Sequence, residues 1–244
     1  MSNTPENPNE LTIENSVLVL IDHQPAVALS VHSIDQGLLI DNVAGLARAA
    51  KDLGVPTVLT TIGAQGSVLV DPILKEIGDV FPEVTPIDRP SSNAWSHPDV
   101  RAAVEATGRK KLIIAGLTTE VCLAQSSLSA IKDGFDVYFV TDCSGGVSTE
   151  AHESAKVRLT MAGAKPITWA AVTAEWAPYW ASPKAAIVSG AYTGSAALLT
   201  DYVTAQLTAG VVSPPDFLSV PAQAGATSDQ PYVLPSPGKP AAAP

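Results

Sequence analysis

Short runs of apolar residues alternate with longer segments of helical periodicity between residue 16 and about residue 168. The apolar runs predict six strands, at 16–21, 56–61, 84–87, 111–116, 135–142 and 165–169. The segments between them predict helices at 41–53, 72–77, 98–107, 119–132 and 149–162, several of which end at a glycine. Strands that are apolar throughout and separated by helices indicate a parallel sheet covered on both faces. We therefore predict an α/β fold of three layers, αβα, with a doubly wound, six-stranded, mostly parallel sheet in the middle.

The two ends of the chain differ in composition from this central part. Residues 1–15 are polar and contain two prolines, which predicts a flexible N-terminal arm. The main domain is predicted to span 16–183, and residues 184–211 could form a C-terminal helical extension. Residues 212–244 are rich in proline and alanine and cannot build a core of their own. We expect this tail to be disordered or to lie along a neighbouring subunit.

The charge of the chain excludes two classes of partner. Its net charge is −10 and its pI is about 4.7, which argues against binding to nucleic acid or to anionic lipid. Its apolar runs have the length of strands, so we expect no membrane partner. The first residues lack the basic start and apolar run of an export signal, and there are only two cysteines. These features predict a cytoplasmic protein without disulfides.

Reactive side chains follow three of the predicted strands. Asp22 follows the first strand, Arg89 the third, and Cys122 lies in the first turn of the helix after the fourth. Ligands of open parallel sheets bind beyond the carboxyl ends of the strands, so these groups should converge. A helix N-terminus favours the thiolate, which predicts a nucleophilic Cys122 with a pKa below the ordinary value. Backbone N–H groups of the same turn could hold an oxyanion.

Each of these residues also has a plainer interpretation. Cys122 could be a buried small hydrophobe, and Arg89 could form a surface ion pair with Asp88. Asp22 could be a general base, a metal ligand or a phosphoacceptor. The four histidines show no metal-ligand spacing, and no glycine-rich nucleotide-binding motif follows a strand. We therefore predict no metal and no cofactor.

Four segments resemble the isochorismatase-like cysteine hydrolases. They are LVLIDHQ (18–24), DRPSSNAWSHPDV (88–100), KLIIAGLTTEVC (111–122) and DVYFVTDCSGG (136–146). The resemblance extends over about 16–180, is most specific in GLTTEVC, and looks closest to the YcaC-like subgroup. It implies the three-layer fold predicted above and a catalytic triad of cysteine, aspartate and a basic residue.

The resemblance assigns a role to each residue of the site. Cys122 takes the place of the nucleophile, Asp22 that of the general base, and Arg89 that of the basic residue, which is usually lysine. Arginine remains a fixed planar cation and cannot relay a proton. A cis peptide bond between Leu117 and Thr118 is also implied, with the N–H groups of Thr118 and Cys122 forming the oxyanion hole. Metal-binding members carry an Asp-x-His set after the second strand, and TTIGAQGS (60–67) has no histidine.

The expected activity is hydrolysis of a small amide-like C–N substrate through a thioester on Cys122. Whether the scissile bond is an amide, a carbamate or a vinyl ether stays open. Gln24, Asn93 and Trp95 are expected to line the substrate pocket, and the resemblance implies a homo-oligomer. The alternatives are a catalytically silent binding protein on the same fold, a redox protein using Cys122 and Cys143, and a receiver-like phosphoacceptor at Asp22.

Overall fold

A six-stranded parallel sheet forms the centre of the protein. A computed structural model describes residues 9–65, 71–179 and 182–192, together with residue 205. The strands are β1 (Ser16–Ile21), β2 (Thr57–Ile62), β3 (Ile87–Arg89), β4 (Lys111–Gly116), β5 (Asp136–Val140) and β6 (Lys165–Ile167). Their order across the sheet is β3-β2-β1-β4-β5-β6, and every adjacent pair is parallel. The predicted doubly wound sheet is confirmed, and its paired strands are all parallel.

Helices connect the strands. They are α1 (Pro25–Ala28), α2 (Gln36–Asp52), α3 (Lys75–Gly78), α4 (Pro98–Glu105), α5 (Ala124–Lys132), α6 (Thr149–Met161), α7 (Trp169–Trp176) and α8 (Pro183–Ala191). Ala94–Ser96 and Thr141–Cys143 form 3₁₀ turns, and Thr119–Leu123 forms a π-helical turn that leads into α5. Among the helices of the described ranges, none is long and apolar enough to cross a membrane.

The core consists of two apolar layers, one on each face of the sheet. Leu18 and Leu20 of β1 point into the layer covered by α2 and α7. Val19 and Ile21 point into the other layer, which α4, α5 and α6 cover. Successive side chains of a strand face opposite sides, so a strand buried on both faces is apolar at every position. This explains the uninterrupted apolar run that predicted β1.

Element boundaries differ from the prediction in two places that matter for the site. The third strand lies at 87–89 rather than 84–87, so Arg89 is its last residue and pairs with Ile62 of β2. Helix α2 begins five residues before the predicted 41, because the Asp35 side chain accepts a hydrogen bond from the Leu38 N–H and caps the helix.

Residues 9–15 are attached to the domain, which corrects the prediction of a flexible arm over 1–15. Leu11 is fully buried in the core, and its N–H donates to Glu175 Oε2 at 2.8 Å. The Tyr138 hydroxyl donates to the Asn9 carbonyl, and the Arg109 guanidinium donates to the Ile13 carbonyl. The prediction was wrong here because it was based on the polar composition of the segment, whereas the burial of a single apolar side chain, Leu11, attaches the segment to the core. Residues 1–8 lie outside the described residues.

The chain after β6 folds back over α2. Trp169 and Trp176 are both buried, and their indole N–H groups donate to Asn42 Oδ1 and Ser16 Oγ. These two tryptophans therefore belong to the core of the subunit. Helix α8 begins at the last residue of the predicted main domain and continues into the predicted extension 184–211. The Arg48 guanidinium donates to its last carbonyl, at Ala191. The predicted tail 212–244 lies outside the described residues.

Candidate active site

Asp22, Arg89 and the turn that carries Cys122 meet at the carboxyl edge of the sheet, where β2 lies between β3 and β1. Asp22 directly follows β1, Arg89 ends β3, and the turn follows β4. The backbone of Asp22 has a φ of +57°, in the left-handed region that few residues other than glycine adopt. Its N–H still donates to the Thr60 carbonyl of β2. The chain therefore turns out of the strand direction at Asp22, directly after β1.

Asp22 and Arg89 form a buried ion pair. Arg89 Nη2 lies 2.5 Å from Asp22 Oδ2, and both side chains are fully buried. The guanidinium also donates to the Ser91 carbonyl. Asp22 Oδ1 accepts a weaker hydrogen bond from Thr60 Oγ1, at 3.4 Å. Arg89 is therefore not the partner of Asp88 in a surface ion pair, since the Asp88 carboxylate accepts instead from Thr61 Oγ1 and the Ala64 N–H.

Cys122 reaches this ion pair from a tight turn. Gly116, the last residue of β4, leaves no room for a side chain, because a Cβ there would lie 2.9 Å from Ile21 Cβ. The following Leu117–Thr118 peptide bond is cis, as the resemblance implied. Thr119–Leu123 then winds as a π-helical turn, which brings the Cys122 thiol close enough to Asp22 and Arg89 for both groups to shift its pKa.

The turn also presents backbone N–H groups next to the thiol. The Thr119 N–H donates to the Gly145 carbonyl, and the N–H groups of Val121 and Leu123 donate to the Thr118 carbonyl. Within the described ranges the Thr118 N–H has no acceptor. It precedes the Cys122 N–H by four residues in one compact turn. The arrangement fits the predicted pair of oxyanion donors.

The pKa of Cys122 is not lowered, which corrects the prediction. The pKa of the thiol is raised from 9.0 to about 12, because burial and the negative charge of Asp22 together outweigh the opposing effect of Arg89. Burial also raises the pKa of Asp22, although Arg89 and the hydrogen bonds from Cys122 and Thr60 lower it. The prediction was wrong because desolvation and the neighbouring carboxylate outweigh the effect of a helix N-terminus on the thiol.

The structure gives each of the three predicted pocket residues partners within the fold. Trp95 is buried against Phe135, with its indole N–H donating to Asp133 Oδ2 at the far end of α5, so it is a core residue rather than a pocket residue. Asn93 Nδ2 donates to Ser129 Oγ, further along α5 from Cys122. The buried Gln24 amide bridges backbone groups of Ile62 and Asp71 and so fixes the edge of the site. Pairing of the 92–95 segment with α5 accounts for the partners of Asn93 and Trp95. A pocket role for Gln24 and Asn93 stays a prediction.

Comparison with known proteins identifies the family. The isochorismatase domain model matches residues 16–171. The chain belongs to the isochorismatase family. The probable hydrolase YcaC of Escherichia coli strain K12 is 41% identical over 167 residues, which cover 68% of this chain and 79% of the relative. This chain is thus an isochorismatase-family hydrolase similar to YcaC.

Two solved structures of YcaC resemble this isochorismatase-family chain over most of their length. The crystal structure of the Escherichia coli protein, an octameric hydrolase of unknown specificity, has a TM-score of 0.74 and 34% identity and covers 84% of this chain and 98% of its own. YcaC from Pseudomonas aeruginosa, solved with hexane-2,5-diol and covalent acrylamide, has a TM-score of 0.75 and 33% identity. It covers 82% of this chain and 99% of its own.

The two cysteines of this family member lie in different layers of the core. Cys122 packs in the layer beneath α5, whereas Cys143 packs in the layer beneath α2 and is fully buried. Both are free thiols, and burial raises the pKa of Cys143 well above its ordinary value. A redox pair of Cys122 and Cys143 would need the sulfurs in contact. The structure separates them by the sheet.

Sequence reasoning missed two polar groups that support the site. Thr60 stands in an apolar strand and donates to Asp22, and His152 of α6 forms a hydrogen bond with Thr119 of the turn that carries Cys122. A buried threonine inside the run TVLTTI was a signal that could have pointed to the first of these. Among the described residues, no group of three or more histidine, cysteine, aspartate or glutamate side chains could hold a metal ion.

Proposed function

We propose that this protein is a cysteine hydrolase that cleaves a small amide-like C–N substrate through a thioester on Cys122. The observation that carries the proposal is the buried Asp22–Arg89 ion pair beside the Cys122 thiol, close enough for both charges to act on the pKa of the thiol. A buried ion pair costs desolvation free energy and is weak evidence for stability. Its position against a thiol, at the ligand-binding edge of the sheet, favours a catalytic role.

Acylation begins with proton transfer from Cys122 to Asp22. The raised pKa of Asp22 makes its carboxylate a better proton acceptor than an exposed one. The positive charge of Arg89 compensates the negative charge that Asp22 and Cys122 share. The sulfur then attacks the substrate carbonyl, and the N–H groups of Thr118 and Cys122 donate to the oxyanion. Collapse of the tetrahedral intermediate breaks the C–N bond. The leaving amine takes its proton from Asp22, and the acyl group remains on Cys122.

Deacylation repeats these steps with water as the nucleophile. Asp22 accepts a proton from the attacking water, and the same two N–H groups stabilise the second oxyanion. The C–S bond breaks, the carboxylic acid product leaves, and Asp22 returns the proton to the Cys122 sulfur. Arg89 keeps its proton throughout, as expected for a guanidinium. One basic group that titrates, Asp22, is therefore sufficient for the whole cycle.

Two observations support a small substrate. Asp22 and Arg89 are fully buried and Cys122 is nearly so, which leaves little room at the nucleophile. The Pseudomonas aeruginosa relative carries covalent acrylamide, itself a small amide, which supports a nucleophile that such compounds can reach. Whether this chain prefers an amide, a carbamate or a vinyl ether remains a question for experiment.

A panel of small amides, carbamates and vinyl ethers tests the proposal. We expect turnover of at least one C–N substrate, its loss in Cys122→Ser, and its retention in Cys143→Ser, the matched control for the other thiol. Turnover that survives in Cys122→Ser would contradict the proposal. Binding of panel compounds by a folded wild-type protein, with no turnover or covalent adduct, would favour the catalytically silent alternative.

We also propose that the protein assembles as a homo-oligomer in the cytoplasm. The octameric structure of the Escherichia coli relative supports the assembly. The location remains a prediction from the cysteine content. Light scattering at micromolar concentration should give a mass that is a multiple of the 25.1 kDa chain. A monomer mass under these conditions would contradict the assembly and leave the proposed chemistry untouched.

A further inference from the structure

A second buried polar pair lies beside the catalytic turn and takes no part in the proposed chemistry. Thr119 Oγ1, in the first residue of the turn, is 2.9 Å from His152 Nδ1 of α6. Thr119 is fully buried and His152 is 8% exposed. In the part of the chain that the structure describes, His152 is the one side chain bonded to the Thr119 hydroxyl. The bond connects the turn to a helix on the same face of the sheet.

The loop between β5 and α6 holds the same turn by further hydrogen bonds. The Thr119 N–H donates to the Gly145 carbonyl at 2.9 Å, and the Val147 N–H donates to Glu120 Oε1 at 3.2 Å. The contact is close, since a Cβ on Gly146 would lie 2.7 Å from Glu120 Oε2. These bonds attach the turn to the loop, while the bond to His152 attaches it to the body of α6. The turn is therefore fixed from two sides.

The chemistry of His152 suits a positioning role. Burial lowers its pKa, and the Lys156 charge lowers it further, against the opposing charges of Glu153 and Glu120. A neutral imidazole carries one donor and one acceptor nitrogen, and the threonine hydroxyl can serve as either partner. The hydrogen bond to Thr119 is therefore satisfied by the neutral ring in either tautomer.

Small displacements of this turn would affect the proposed oxyanion hole. Thr119 is bonded directly to Thr118, whose N–H is one of the two proposed donors. An oxyanion donor acts only when it is about 2.7–3.1 Å from the developing charge, and a displacement of about 1 Å can cost ~100-fold in rate. A bond that fixes Thr119 thus fixes the neighbouring donor.

We propose that His152 is a positioning residue, whose hydrogen bond to Thr119 holds the N–H groups of Thr118 and Cys122 in place to bind the oxyanion. The inference rests on the proposed function, because it assumes that Cys122 attacks a carbonyl. It assigns to His152 no contact with the substrate. Its effect is confined to steps that develop negative charge on a carbonyl oxygen.

Two reagents for Cys122 separate this role from general disruption of the site. p-Nitrophenyl acetate acylates the sulfur through an oxyanion, forming a C–S bond and releasing p-nitrophenolate. Iodoacetamide alkylates the same sulfur by displacing iodide from a saturated carbon, and no oxyanion forms. Both reactions need the thiolate. Only the first needs the oxyanion hole, so the ratio of the two rate constants reports on the hole alone.

The variants are His152→Ala, Thr119→Val and His152→Asn, with Ser154→Ala on exposed α6 surface as the control. We expect His152→Ala and Thr119→Val to slow acylation by about 10- to 100-fold and to leave alkylation unchanged. His152→Asn should recover most of the acylation rate, because its side-chain amide places a polar atom near the position of Nδ1. Ser154→Ala should change neither reaction. The double variant His152→Ala/Thr119→Val should be no slower than either single variant, because both remove the same bond.

Three results would overturn the assignment. They are an unchanged acylation rate in His152→Ala, a parallel loss of acylation and alkylation, and additive losses in the double variant. A wild-type protein that p-nitrophenyl acetate does not label at Cys122 would overturn the proposed function and, with it, this assignment. Normal labelling of both wild type and His152→Ala would overturn the assignment alone.

Discussion

The ion pair between Asp22 and Arg89 has opposite consequences for chemistry and for stability. Both side chains are fully buried, so neither charge is solvated by water. Their attraction offsets this cost only while both partners are present, and removal of one leaves a buried, unpaired charge. The pair therefore makes the site sensitive to single substitutions at Asp22 or Arg89.

Arg89→Met should destabilise the fold and raise the Cys122 pKa further. We expect a loss of about 3–5 kcal/mol in the free energy of unfolding, the usual result of breaking a buried ion pair. Arg89→Lys should lose less, since a cation remains. Denaturant unfolding measures the loss, and Lys75→Met is the control because Lys75 and Asp79 form an exposed ion pair. Equal, negligible losses in Arg89→Met and Lys75→Met would contradict a buried pair.

Asp22→Asn should lower the pKa of the Cys122 thiol while abolishing turnover. The Asp22 charge and its hydrogen bond both raise the thiol pKa, and Arg89 would then act on the thiol unopposed. Turnover should nevertheless fall by about 10²- to 10⁴-fold, because no proton acceptor remains. The pH dependence of iodoacetamide labelling, measured in a Cys143→Ser background, gives the thiol pKa. A midpoint that stays in place or rises would show that Asp22 does not interact with the thiol.

At the scale of elements, the segment 9–15 is attached to the core through the side chain of Leu11 and through backbone hydrogen bonds. Leu11 fills the core layer beneath α2 and α7, and backbone groups around it bond to Glu175, Tyr138 and Arg109. Its attachment depends on hydrogen bonds from three separate parts of the chain. Local composition carries no information about such contacts.

Leu11→Ala should destabilise the protein by about 2–5 kcal/mol, the range for truncation of a buried leucine. Leu29→Ala is the matched control, since Leu29 is 70% exposed. Thermal or denaturant unfolding of both variants would show the difference. If the two variants are equally stable, the segment is as loosely held as its polar composition suggests.

The elements that sequence patterns predicted well are those whose apolar positions are set by burial alone. β1 and β4 were predicted to the residue, because both faces are buried and each strand is a run of apolar residues after its first residue. The reactive ends of β1, β3 and β4 followed from the topology of a parallel sheet. Trp95 was misplaced because the segment 92–95 pairs with α5, and no periodicity encodes that pairing. The thiol pKa was misjudged because burial and the approach of Asp22 are tertiary features.

The stability of the whole molecule should depend on His23. This residue is fully buried, and burial lowers its pKa from 6.5 to about 4 even though Nε2 bonds to the Cys143 carbonyl. The folded protein keeps the ring neutral between these values, whereas the unfolded chain binds a proton below about 6.5. The contribution of His23 is therefore complete above pH 6.5 and is lost as the pH falls towards 4.

His23→Gln should flatten the acid limb of the stability curve. Glutamine can keep a donor to the Cys143 carbonyl without a titrating group. Between pH 7 and pH 4.5, wild type should lose about 2–3 kcal/mol more unfolding free energy than the variant. Denaturant unfolding at both pH values measures the difference. Equal losses in the two proteins would show that His23 is not held neutral in the fold.

The central claim is that Cys122 is a covalent nucleophile for carbonyl compounds, and intact-mass analysis tests it most directly. The protein is incubated with p-nitrophenyl acetate and quenched in acid, its mass is measured by mass spectrometry, and peptide mapping locates the adduct. We predict one acetyl group on Cys122 of wild type and of Cys143→Ala, and none in Cys122→Ala. A wild-type protein that stays unmodified, or the same adduct appearing in Cys122→Ala, would contradict the account.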